Sequence, residues 1–299
     1  MKVIQMKMSD GKTVFTHVWE PEGEVKGVVQ ISHGMAEHIM RYDHIAKYLA
    51  ENGYVVIGDD HRAHGDTDKQ TLGYSEGDIF SLTLHDLMEI TEYAKKTYPN
   101  KKIVLFGHSY GSFLSQAYIE EYGNLIDGVI LGGSAKMTGA VPAFGRLVAN
   151  IGCVFKGKKA PANMLKKASF DAYDKQLKNG SFISSVDEET ERYLQDKYCA
   201  FTCSMGFYKY FFKAFTKIYK KKNLNKIDKN KPIYIISGEQ DPVGDCTKST
   251  DRLYKTYRDL GVKDVAVKYY KGARHEYLND VSRPEAFNDI LSFVNKVCQ

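Results

Sequence analysis

The 299-residue chain has one tryptophan, five cysteines and no long uncharged apolar run. The cysteines are Cys153, Cys199, Cys203, Cys246 and Cys298, an odd number with no C-x-x-C pair among them. That argues against a disulfide framework or a zinc site and fits a reducing compartment, so a cytoplasmic protein is expected. No apolar stretch reaches the ~18 residues that a membrane-spanning helix needs. The opening residues, MKVIQMKMSDGK, carry no apolar core of a signal peptide, and secretion is not expected. There is no internal repeat. The net charge of +5 is mild and does not by itself imply a nucleic-acid partner.

What is present is ordinary for a globular protein: 43% apolar and 26% charged residues. The length suits one large α/β domain or two smaller ones. Tyr and Phe are plentiful, at 21 and 15, as a greasy binding site or a core would require. Lysines gather at 156–167 and 217–231. They read as solvated faces, or more sharply as a surface meeting anionic lipid, where each basic residue adds about 1 kcal/mol.

Residues 2–8 and 12–19 alternate around Asp10-Gly11 and predict a β-hairpin. The segments 26–32, 53–60, 101–107, 125–133 and 232–238 are short apolar runs, as strands buried on both faces should be, and 265–270 adds a further strand. Helices are predicted over 41–52, 83–98, 110–122, 246–259 and 284–297. This alternation implies an α/β fold with a mostly parallel central sheet and helices on both faces. Residues 137–227 break the rhythm. They are rich in lysine and aromatics, with 188–220 reading as helical, and predict a helical cap inserted into a core formed by 1–136 and 228–299.

The segment KKIVLFGHSYGSFLSQAYIEEYG (101–123) contains Gly107-His108-Ser109-Tyr110-Gly111, a G-x-S-x-G pattern. Glycines at both ends let a strand and a helix approach closely while the serine hydroxyl stands at the apex of the turn. Five residues of this kind are a weak signal, but the apolar run before them and the helix after them supply the required context. A dinucleotide-binding turn would need G-x-G-x-x-G, and position 109 is serine.

A serine becomes a nucleophile when a histidine takes its proton and a carboxylate orients that histidine. On a strand–turn–helix serine site the acid and the histidine follow the serine in the chain. Of nine histidines only His275 lies beyond Ser109. The loop after strand 232–238 reads GEQDPVGD, and Asp241 is the preferred acid, ahead of Asp245 and Glu239. Two backbone N–H groups should receive the developing oxyanion. Tyr110, after the serine, supplies one, and Met35, in the loop ISHGMAEH after strand 26–32, the other. His33, His38, His61 and His64 read as bracing groups, and GDDHRAHG (58–65) as a buried polar network.

The set HGMAEH (33–38), DDHRAHG (59–65), GHSYG (107–111), DPVG (241–244) and ARHEYLN (273–279) resembles the monoglyceride lipase/lysophospholipase branch of the α/β-hydrolase fold. The resemblance covers 26–136 and 231–298. It implies Ser109 as nucleophile, His275 as base, Asp241 as its orienter, and the N–H groups of Met35 and Tyr110 as oxyanion donors, with no cofactor and no metal. It implies an acyl ester, lipid-like substrate. Tyr110 stands where the family often has methionine, which implies a bulkier, more polar wall. Ala63 replaces a usual glycine. An amidase, aminopeptidase or thioesterase would use the same groups, with Asp187, Glu188, Glu189 or Glu191 as candidate partners for a free amine. A non-catalytic ligand-binding protein is the reading from another class.

Overall fold

The computed structural model describes residues 1–177 and 180–299. Its eight strands are β1 (Lys2–Lys7), β2 (Thr13–Trp19), β3 (Gly27–Ser32), β4 (Tyr54–Asp59), β5 (Ile103–His108), β6 (Gly128–Gly132), β7 (Ile233–Gly238) and β8 (Val265–Tyr270). They form one sheet in the order β1-β2-β4-β3-β5-β6-β7-β8. The β1–β2 and β2–β4 pairs are antiparallel, and every pair from β4 to β8 is parallel. The expected α/β-hydrolase architecture is therefore the one observed.

Helices of nine residues or more are labelled in chain order: α1 (Asp43–Glu51), α2 (Ile79–Thr97), α3 (Tyr110–Glu121), α4 (Ala140–Phe155), α5 (Asp187–Gln195), α6 (Met205–Ile218), α7 (Lys248–Asp259) and α8 (Arg283–Cys298). Alternate residues of each central strand face opposite ways. Val28, Val55, Leu105, Leu131 and Ile235 pack with α2, α3 and α7. Val29, Val56, Phe106, Ile130 and Ile236 pack with α1 and α8. Both faces are covered, which is why these strands carry apolar runs and no alternation.

The strand order reverses at β3. The chain leaves β3 through α1 on one face to reach β4, then crosses through α2 on the other face to reach β5. The loops after β3 and β5 thus diverge and leave a crevice at the carboxyl edge of the sheet, where open α/β sheets bind ligands.

Two helix expectations need correction. The helix expected at 83–98 starts at Ile79, because Asp78 caps it by accepting from Ser81 N–H (3.4 Å). The stretch 188–220 is two helices. Between α5 and α6 the backbone bonds elsewhere: Ala200 N–H donates to Ala36 O (2.9 Å) and Ser204 N–H to Gly73 O (2.8 Å). Ser204 then caps α6 through Phe207 N–H (3.1 Å). Within residues 133–232, α4 lies against α6, with Gly145 facing the Phe212 ring and Gly152 facing Met205. Its other face is open to solvent.

Candidate active site

β5 ends at His108, and Ser109 follows with φ 51° and ψ −117° before α3 begins. That left-handed φ is costly for a residue with a Cβ, about 1–3 kcal/mol, and strain of this kind collects at functional sites. It is possible here because both flanking glycines are seated without room for a methyl group. A Cβ on Gly107 would lie 2.3 Å from Gly111 O, and one on Gly111 would lie 1.9 Å from Ser32 O. The elbow is held by Ser109 N–H donating to Gly132 O (2.9 Å). Ser109 lines a cavity of about 360 Å³ together with Met35, His108, Tyr110 and His275.

His275 sits in the loop after β8 and is nearly enclosed. Its Nδ1 donates to Asp241 Oδ2 (2.9 Å), which leaves Nε2 as the acceptor of the neutral ring. Asp241 is fully buried and caps the turn Pro242–Gly244, accepting from Val243 N–H (2.9 Å) and Ser237 Oγ–H (3.2 Å). Asp245 and Glu239 are exposed instead. Burial pulls the His275 imidazole down, but the charge and hydrogen bond of Asp241, with Glu276 and Glu37 beyond, outweigh it and hold it above 6.5. The His108 ring lies 4.8 Å from that of His275 and is driven well below 6.5, chiefly by burial, so it stays neutral.

The loop after β3 presses on the nucleophile: a Cβ on Gly34 would lie 3.2 Å from Ser109 Cβ. Its N–H groups divide. That of Gly34 is taken by Glu37, and that of Ala36 donates to His64 Nε2 (3.1 Å). Among the described residues, the Met35 N–H has no acceptor. Tyr110 is the first residue of α3, where no intrahelical acceptor exists for its N–H.

The histidines of this region brace the loop. His33 Nδ1 donates to Gly34 O (2.8 Å), and its Nε2 accepts from His61 N–H (3.0 Å). His61 Nδ1 donates to Asp59 Oδ2 (2.9 Å), and its Nε2 accepts from Ser32 Oγ–H (2.9 Å). Burial above all keeps His33 well below its usual range and His64 down at about 3, so both remain uncharged donor–acceptor struts. Ala63 adopts φ 69°, a left-handed position that explains why glycine suits it. The Tyr110 ring packs against Phe80, Phe207 and Phe211, and the residue is 1% exposed, so the side chain adds buried aromatic bulk beside the nucleophile.

Residues 23–282 match the model of a family described as "Serine aminopeptidase, S33". The chain belongs to this family. Among similar members and structures, a monoglyceride lipase of Rattus norvegicus is 32% identical over 123 residues, 41% of this chain and 40% of that protein. The chain's match therefore spans about two fifths of that relative's length. A monoacylglycerol lipase of Mycolicibacterium smegmatis is 24% identical over 95% of this chain and 93% of its own. A carboxyl esterase of Bacillus coagulans, solved with glycerol, superposes with a TM-score of 0.90 at 26% identity, covering 100% of this chain and 99% of that one.

Several lining residues of this serine aminopeptidase family member were given no role from the sequence, two of them, Glu37 and Glu276, although they stand inside the motifs HGMAEH and ARHEYLN. Glu37, Tyr193 and Glu276 border the cavity near His275, and Val141, Phe144, Met164 and Phe215 supply apolar walls. The signal for α4 was there as apolar residues at 141, 144, 147, 151 and 154, a helical spacing. Of the four carboxylates weighed for binding an amine, none lines the cavity; Glu189 pairs with Arg192 and Arg283. Among the described residues, one group could offer a metal three donors within 4.8 Å: His38, Asp196 and Cys199. It lies outside the cavity lining, and His38 Nε2 already pairs with Asp196 Oδ2 at 2.9 Å, joining the β3 loop to the segment after α5.

Proposed function

We propose that this chain is a serine ester hydrolase for lipid-like monoacyl esters of the monoacylglycerol and lysophospholipid kind. The observation that carries the reading is one arrangement. A strained Ser109 and an Asp241-paired His275 face a single cavity whose walls are otherwise mainly apolar. His275 Nε2 takes the Ser109 proton as Oγ attacks the ester carbonyl. The N–H groups of Met35 and Tyr110 receive the oxyanion, helped by the positive end of α3. His275 then protonates the leaving alcohol and activates water to release the acid. The acyl chain lies along Val141, Phe144, Met164 and Phe215, each buried methylene contributing ~0.8 kcal/mol. In this reading residues 137–227 are a cap over a core of 1–136 and 228–299.

The α4 face turned to solvent supports contact with membrane. Val141 is 82% exposed, Phe144 68%, Val154 80% and Phe155 83%, and Lys156, Lys158 and Lys159 follow directly. Apolar residues with adjoining lysines fit an anionic bilayer. Co-sedimentation with anionic vesicles should weaken in Phe144→Asp and at high salt.

The family description keeps an aminopeptidase as the second reading. Its amine would need a free carboxylate, and the two that border the cavity are engaged, Glu276 by Arg41 and Glu37 by Gly34 N–H, Tyr42 and Arg41. The test is a panel of monoacylglycerols, p-nitrophenyl esters and aminoacyl anilides on wild type and Ser109→Ala. Ester turnover lost in Ser109→Ala is expected. Wild-type turnover in Ser109→Ala, or a clear anilide preference, would overturn the proposal.

A further inference from the structure

One wall of the cavity holds a buried cluster of charge that the proposed chemistry does not use. Glu37 belongs to the loop after β3, Arg41 to the turn Ile39–Tyr42, and Glu276 follows His275. Glu37 is 3% exposed. Its Oε1 accepts from both Gly34 N–H and Tyr42 Oη–H, the latter at 2.8 Å. Its Oε2 lies 3.8 Å from Arg41 Nε. The Arg41 guanidinium donates to Glu276 Oε2, which also accepts from Asn279 Nδ2 (3.0 Å). The same guanidinium lies over the Tyr193 ring at 5.3 Å.

Burying two carboxylates around one arginine is expensive, and a surface-stable fold does not need it. The position of the Gly34 peptide gives the arrangement a purpose. That peptide abuts Ser109, and the next N–H along the chain is the unpaired one of Met35. Glu37 holds Gly34 on its N–H side while His33 Nδ1 holds the Gly34 carbonyl, whose peptide plane carries the Met35 N–H, so the two bonds together fix the direction of that N–H. Donors aimed beforehand at the developing oxyanion are worth far more than donors that must reorient.

We propose that Glu37 is a positioning residue for the oxyanion-binding loop, and that Arg41 and Glu276 tie that loop to the one carrying His275. This deepens the serine-hydrolase reading above and rests on it. Glu37 never touches the reacting atoms; it acts through the Gly34 peptide. The network also gives the site a second proton-sensitive group. Burial and then Glu276 push the Glu37 carboxyl up to about 7, against Arg41, Tyr42 and the Gly34 N–H, which pull it down. Tyr193, from α5, faces the same acids and is held neutral by burial. The Cys199 thiol beyond Arg41 is also raised, mainly by burial, and stays protonated. On acidification, Glu37 takes up a proton, loses its hold as an anion on two donors, and the loop loosens as His275 is also being protonated.

The test compares Glu37→Ala and the isosteric Glu37→Gln on a p-nitrophenyl ester, with turnover expressed per site labelled by a fluorophosphonate probe. Glu37→Ala should lower kcat roughly 10- to 100-fold, with KM within about threefold, as expected for a loop displaced by up to ~1 Å. Glu37→Gln keeps an acceptor for Gly34 N–H and should recover most of that loss. Its acid limb should show one proton where wild type shows two. A Glu37→Ala protein with wild-type kcat per labelled site, a loss confined to KM, or an unaltered acid limb in Glu37→Gln would overturn the proposal. Ser109→Ala separates the two levels. If it turns over ester like wild type, the site reading itself fails. If it is inactive while both Glu37 variants behave as wild type, only the positioning role fails.

Discussion

Replacing Gly111 by alanine tests how closely the start of α3 must seat on the end of β3. A Cβ at this position would lie 1.9 Å from Ser32 O, 2.5 Å from Ser32 C and 2.7 Å from His33 O. All three are backbone atoms, so no side-chain rotation relieves the overlap. Restoring an ordinary contact requires α3 and the 32–33 segment to part by roughly 1 Å or more, an overpacking strain of about 1–3 kcal/mol. The two parting segments carry the Tyr110 and Met35 N–H groups respectively. A displacement of 1 Å between reacting and stabilising groups costs about 10²-fold in rate, or ~2.7 kcal/mol of transition-state stabilisation. The expected result is a lower melting temperature and a kcat reduced about 10²-fold with a smaller change in KM. Gly123→Ala is the control, because a Cβ there meets nothing within 4 Å. Thermal melts and steady-state ester kinetics on both variants decide the matter. A Gly111→Ala protein matching Gly123→Ala in both measurements would refute the close-seat reasoning.

Asp241→Asn should lower kcat on the order of 10⁴-fold with little change in KM, because an amide N–H facing His275 Nδ1 imposes the wrong tautomer; near-wild-type turnover would contradict the assigned role. Besides the Glu37 step, the acid limb of wild-type kcat/KM should contain an ionisation above 6.5 from His275, since the proposed base must be neutral and Asp241 holds its pKa up; in Asp241→Asn that His275 step should move to lower pH. The raised His275 pKa also has a stability counterpart. The protonated ring stabilises the fold below pH 6.5, and that contribution disappears as pH climbs through the folded value, which melts of wild type and His275→Gln across pH 5–9 would read. Arg62→Ala removes a two-bond partner of Asp86 (2.6 and 2.7 Å) and strands a buried carboxyl already pushed up to about 6 by burial. It should cost about 3–5 kcal/mol in urea unfolding, and a loss under 1 kcal/mol would count against this account.

The sheet was readable because strands covered on both faces need unbroken apolar runs, and KGVVQIS, GYVVIGDD and KKIVLFG supply them. The order of the chain then left His275 as the only histidine downstream of Ser109, so the proposed base could be named without a structure. Asp241 was harder. Three carboxylates share its loop, and only burial and the hydrogen bond to His275 distinguish it from Asp245 and Glu239. The charged cluster at Glu37, Arg41 and Glu276 was hidden for another reason. Its members lie up to 239 positions apart in the sequence, and each alone reads as a surface residue. The break between α5 and α6 was equally invisible, because Ala200 and Ser204 leave the helix for tertiary acceptors on Ala36 and Gly73 that no local propensity encodes.

The insertion between β6 and β7 has one further implication. These strands are parallel neighbours, with Val129 opposite Ile233, so the intervening residues leave the sheet and return beside their point of departure. The proposed acid and base, Asp241 and His275, both come later in the chain, on loops after β7 and β8. A foreign segment could thus be transplanted here while the loops that carry Asp241 and His275 stay on their own strands, provided it renews the bonds it replaces. His275 N–H and Glu276 N–H donate to Phe182 O (3.1 Å) and Ile183 O (2.8 Å), so the graft must bring two carbonyls to the same places or it unmoors His275.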